Sequence, residues 1–77
     1  MAVPAQISPA DLSEGERDAV VAAAVWYAKH HAGIIARLAD DRSAAAETER
    51  ERYQQLYDAL VKLGVRLHRP AGIAPAG

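Results

Sequence analysis

Apolar residues spaced alternately four and three apart run through most of this chain. The line is Val21, Val25, Ala28, Ala32, Ile35 and Ala39, then in the same register Ala46, Tyr53, Leu56, Leu60 and Leu63. With 3.6 residues per turn, that spacing places all of these side chains along one face of an α-helix. Only Arg42 and Glu49 break it, around the polar run Asp40-Asp41-Arg42-Ser43. Helices with such seams pack against other helices, so the fold class is all-α.

The first helix is expected from about Glu14 to about Ala39. Ser13 and Glu16 form a capping box at its start, and Glu14, Glu16 and Asp18 place negative charge where the helix dipole favours it. A second apolar line, Val20, Ala24, Tyr27, His31, Ile34 and Leu38, lies beside the first. The two together cover roughly half the circumference at 100° per residue. One partner helix cannot cover so wide a face.

The second helix is expected from Ser43 or Ala44 to Leu63. Leu63-Gly64-Val65 then reads as a helix stop, with Gly64 in the left-handed conformation and Val65 folding back on the last turn. Val65 to Arg69 alternates like an extended arm. Upstream, Ser8-Pro9-Ala10-Asp11 reads as a short helical turn. The domain is therefore drawn as residues 8–69, with a flexible N-terminus at 1–7 and a flexible Ala/Gly/Pro tail at 70–77. Because no Gly or Pro interrupts residues 40–46, one continuous coiled-coil helix of about 50 residues and about 75 Å is the alternative. The acids at 40 and 41 disfavour a helix C-terminus and favour a new N-terminus, so the expectation is a hairpin of two long antiparallel helices.

A domain of 77 residues buries only about 60% of its unfolded surface and needs reinforcement. Cysteine is absent, so disulfides are excluded and oligomerisation is the remaining device. Two hairpins pairing into a four-helix bundle would bury the wide face. The expected oligomer interface is Val21, Val25, Tyr27, His31, Ile35 and Leu38 on the first helix, with Tyr53, Leu56 and Leu60 on the second.

Trp26 falls opposite the seam, on a stripe with His30, Gly33 and Arg37 and beside Ala19, Ala22 and Ala23. A Trp on a polar face, flanked by small residues that let another backbone approach, is a typical interface anchor. Trp26, His30, Gly33 and Arg37 are accordingly the expected partner site. Intramolecular cover by the N-terminal turn or the C-terminal arm is the competing reading.

His30 and His31 point about 100° apart on a helix and cannot chelate one ion together, so no metal site is expected. The serines sit at helix starts, where capping accounts for them. No nucleophile–base pair, paired carboxylates or phosphate-cradling loop occurs, so neither enzyme activity nor a cofactor is expected. Lys62, Arg66, His68 and Arg69 form a basic cluster that could contact an anion or nucleic acid. The net charge of −1 gives little general support to such binding.

No apolar run is long enough to span a bilayer, and the first residues do not resemble a signal peptide, so a cytoplasmic location is expected. Seven Arg against two Lys, with abundant Ala, suits a GC-rich genome such as that of an actinobacterium or its phage. The expected function is a non-enzymatic, self-associating helical module that binds another protein or assembles into a complex. The alternative is a small dimeric regulator touching nucleic acid through its basic arm.

Overall fold

The computed structural model describes residues 11–76, and within them the chain forms two helices and no strands. Helix α1 spans Glu14–Arg37 and α2 spans Ala44–Lys62. They pack against each other as an antiparallel hairpin, since contacts pair later α2 residues with earlier α1 residues: Arg50 with Leu38, Tyr53 with Ala28. The continuous-helix alternative is excluded by the turn at 38–43.

Local chemistry sets each boundary. Ser13 Oγ accepts from the Glu16 N–H at 3.1 Å while Glu16 Oε1 accepts from the Ser13 N–H at 2.8 Å, which completes the capping box. Ser43 caps α2 by accepting from the Ala46 N–H at 3.2 Å. At the far end Gly64 takes φ +84°, and the Val65 N–H reaches the Leu60 carbonyl as the Gly64 N–H reaches Val61, both at 3.0 Å. That pair of hydrogen bonds is the Schellman stop expected from Leu63-Gly64-Val65.

The interhelical corner has no glycine or proline, and α2 itself closes it. The Arg50 guanidinium donates to the Leu38 carbonyl and, at 2.7 Å, to that of Asp41. The Leu38 carbonyl, which also accepts the Asp41 N–H at 3.0 Å, and the Asp41 carbonyl thus gain a cationic donor from the next helix. Asp41 Oδ1 accepts from the Ser43 N–H at 2.8 Å, forming a local turn into α2. Arg50, which in sequence belongs to a charged segment expected to be solvated, is half-buried.

The core comprises Ala28, Ile35, Tyr53, Tyr57, Leu60 and Ile73. Ile73 corrects the expectation of a flexible tail from residue 70. Pro70 and Ile73 are buried, and Val65, Leu67 and Ala76 pack against the core, so the folded unit extends to residue 76. Two side chains secure this arm. The Gln54 amide holds Ala74 at both its N–H (2.8 Å) and its carbonyl (2.9 Å), as a neighbouring strand would. Arg69 donates to the Ile73 carbonyl at 2.8 Å. Pro70 to Ile73 turns with Gly72 at φ +89° and an Ile73 N–H to Pro70 carbonyl bond of 3.2 Å, the geometry of a type II turn. The flexible N-terminus expected at 1–7 and most of the helical turn expected at 8–11 lie outside the described residues.

Two glycines should respond oppositely to alanine. At Gly72 a Cβ would lie 3.2 Å from Ala39 Cα on a backbone of positive φ. Gly72→Ala should therefore cost about 1–2 kcal/mol or more in urea unfolding. At Gly33, inside α1, a Cβ meets nothing within 4 Å. Gly33→Ala should stabilise by about 0.5–1 kcal/mol.

Acid should weaken the caps. Bonding from the backbone N–H and hydroxyl of Ser13 holds Glu16 below its ordinary 4.5, and the Ser43 N–H and hydroxyl hold Asp41 below 3.8. Both groups favour ionisation more in the folded than in the unfolded state. Their contribution is therefore full above those ordinary values and is lost as pH falls through the lower folded ones. Stability measured between pH 6 and about pH 2 should decline, and less steeply in Glu16→Gln.

Candidate functional site

Helix α1 divides into four longitudinal sectors, set by what covers each. Ala28 and Ile35 face the core, and the flank bearing Ala32 and Lys29 meets the C-terminal arm. The opposite flank carries Val20, Tyr27 and Ile34, seven residues apart and within about 40° of one another. No part of the described chain covers this flank: Val20 is 58% exposed, Tyr27 47% and Ile34 43%. Tyr27 stacks on His31 at 5.0 Å, and His31 faces Tyr53 at 6.2 Å and Glu49 at 3.4 Å, so this flank adjoins the Glu49 edge of α2. His31 Nε2 is buried without a hydrogen bond. The Glu49 carboxylate is its electrostatic neighbour, but in poor hydrogen-bond geometry.

These placements revise the expected oligomer interface. Ile35, Tyr53 and Leu60 are buried within one chain, and Val21, Val25 and Leu56 pack against that core. They serve the chain's own fold because the arm supplies a third layer that the hairpin expectation lacked. Leu38 and His31 are half-buried at the margin. Of the nine expected residues, Tyr27 alone is strongly exposed, and Val20 and Ile34 join it.

The outward sector is the stripe expected to bind a partner. Trp26 is 62% exposed, so the arm does not cover it; the N-terminal turn of the competing reading lies almost wholly outside the described residues. Its indole stacks on the His30 ring at 4.0 Å and 22°. His30 Nδ1 lies 2.8 Å from the Trp26 carbonyl, which selects the tautomer with hydrogen on Nδ1. Arg37 Nε donates to the Gly33 carbonyl at 3.3 Å. Trp26, His30 and Arg37 thus form an aromatic and cationic ridge, with the His30 and Arg37 side chains held by carbonyls of their own helix at Trp26 and Gly33.

The expected basic cluster is divided. Arg69 is occupied with the Ile73 carbonyl, and Lys62 remains in the last turn of α2. Arg66 and His68 instead flank a half-open cavity of about 250 Å³ between α1 and the arm, lined also by Ala28, Lys29, Ala32, Tyr53 and Leu67. The Tyr53 hydroxyl donates to the Ala28 carbonyl at 3.0 Å, and burial, with smaller effects of Tyr27 and Tyr57, pushes its pKa up. Lys29 was not legible as a site residue, since only the arm's return path brings it beside Arg66.

Among the described residues no three His, Asp or Glu side chains converge as a metal site, and no helix is long and apolar enough to cross a membrane. No family model matches the chain, and no curated protein or solved structure matches it.

The exposure of Trp26 makes a sharp prediction. Trp26→Ala should leave the helical circular-dichroism signal and the melting temperature nearly unchanged. A Trp serving the core would lose about 3–5 kcal/mol on the same truncation.

Proposed function

We propose that this protein is a non-enzymatic helical module that pairs with a second copy of itself and presents Trp26 to another protein. The observation that carries the reading is the uncovered flank of α1. The chain builds an arm to cover one flank, yet leaves Val20, Tyr27 and Ile34 in water on the other. A two-fold axis across this flank would set the apolar line of one hairpin against that of its copy. The product is a four-helix bundle with an arm on each outer side. The Trp26 ridge lies outside that contact and stays free for a different partner, which an exposed aromatic with a cationic neighbour suits.

A nucleic-acid role has less support. Phosphate contact along a strand calls for a row of free cations, whereas Arg69 is bonded within the arm, Arg66 and His68 line a cavity, and Lys62 stays apart in the last turn of α2.

Light scattering at micromolar concentration should report about twice the chain mass. Tyr27→Asp with Ile34→Asp should give a folded monomer, because both positions are exposed within one chain and a charge there is buried only on association. Ile35→Asp should unfold the chain instead, since Ile35 is fully buried in the core. A wild-type monomer, or a dimer indifferent to the paired aspartates, would overturn the reading.

A further inference from the structure

The cavity between α1 and the arm combines two features that belong to one kind of ligand. Its floor is apolar: the methyl groups of Ala28 and Ala32, the Leu67 side chain and the Tyr53 ring, whose hydroxyl is already bonded to a carbonyl. The exposed residues Lys29, Arg66 and His68 complete the lining, and no carboxylate is part of it. None of these three makes an ion pair or side-chain hydrogen bond among the described residues. On a chain of net charge −1 with histidine neutral, the two unpaired cations Lys29 and Arg66 beside one apolar cleft are a local concentration of positive charge. The walls are also built in advance, because Gly64 aims the arm and the Gln54–Ala74 bonds fix its return. A ligand would not have to order them.

We infer that this cleft binds a small amphipathic carboxylate, with the apolar chain on Ala32 and Leu67 and the carboxylate between Lys29 and Arg66. The volume of about 250 Å³ corresponds to about eight water-sized groups, which suits a chain of about eight carbons. Arg66 offers a planar fork that a carboxylate matches, and Lys29 adds a point charge from the opposite wall. The cleft lies on the arm-side flank of α1, away from the Tyr27 and Ile34 flank, so this assignment stands apart from self-association.

The test is titration of the isotopically labelled full chain with octanoate, followed residue by residue in amide correlation spectra. Saturable shifts should centre on Lys29, Ala32 and Arg66 to His68, with millimolar or tighter affinity, the range open to about ten non-hydrogen atoms. Octanol, of the same length but uncharged, should bind at least tenfold more weakly, and octyltrimethylammonium should not saturate the cleft. Lys29→Gln with Arg66→Gln, both exposed, should preserve the spectrum of the fold and weaken octanoate tenfold or more. Ala32→Leu should fill the floor and abolish binding of octanoate and octanol alike. Repeating the titration on the chain carrying Tyr27→Asp and Ile34→Asp separates this outcome from that of the dimer, because the cleft should bind unchanged. Absence of saturable shifts at the cleft, equal affinity for octanol and octanoate, or wild-type binding by the double glutamine variant would each overturn the inference.

Discussion

Two helices share one seam, and α1 carries apolar residues around roughly half its circumference. That mismatch governs the rest of the molecule. The seam can bury Ala28 and Ile35 against Tyr53 and Leu60, but the flanks on either side need other cover. A third element is the general answer, because a domain this small has little core to spare. Here it is the arm after Gly64, which crosses back over one flank and inserts Ile73 into the same cluster. The other flank receives no such element among the described residues. The arm thus makes the hairpin self-sufficient on one side and leaves it asymmetric overall.

The asymmetry extends to how the two helices divide their work. Helix α2 buries Ala46, Tyr53, Tyr57 and Leu60, and also supplies Arg50 to the corner and Gln54 to the arm. It organises the fold. Helix α1, although longer and richer in apolar residues, buries only Ala28 and Ile35. Val21, Ala24, Val25 and Ala32 pack against that core from its margin, while the large side chains of Val20, Trp26, Tyr27 and Ile34 stay exposed outside it.

The features legible in the sequence were those decided within a few residues. Ser13 with Glu16, Ser43 before Ala44, and Gly64 before Val65 mark helix ends by bonds spanning three to five positions. The features that escaped depend on distant partners. Arg50 sits among Glu47, Glu49 and Glu51 and looks like part of a solvated ion-paired stretch. Its real acceptors are carbonyls 9 and 12 residues earlier. Pro70 to Ala76 has the composition of a loose tail, and its one sizeable apolar side chain, Ile73, reveals its role only when the helix pair offers a place for it. The exposure of the Trp26 stripe was legible because helical periodicity alone separates Trp26 from the seam. The interface list was less so, because periodicity shows which residues avoid water without telling what covers them.

The turn Pro70 to Ile73 shows how closely these layers are interlocked. Gly72 lies against Ala39 and the Arg50 side chain, at the corner where α1 gives way to α2. Arg50 therefore meets the end of α1, the start of α2 and the return of the arm in one place. Loosening the arm would expose Ile73 and disturb the packing beside the guanidinium that holds the corner. The cleft at Lys29 and Arg66 is bounded by this same arm, so its width is tied to the corner through a short stretch of backbone. The uncovered flank adjoins a different edge, reaching Glu49 of α2 through the Tyr27–His31 stack. Events at the cleft should therefore be felt at the corner through the arm itself.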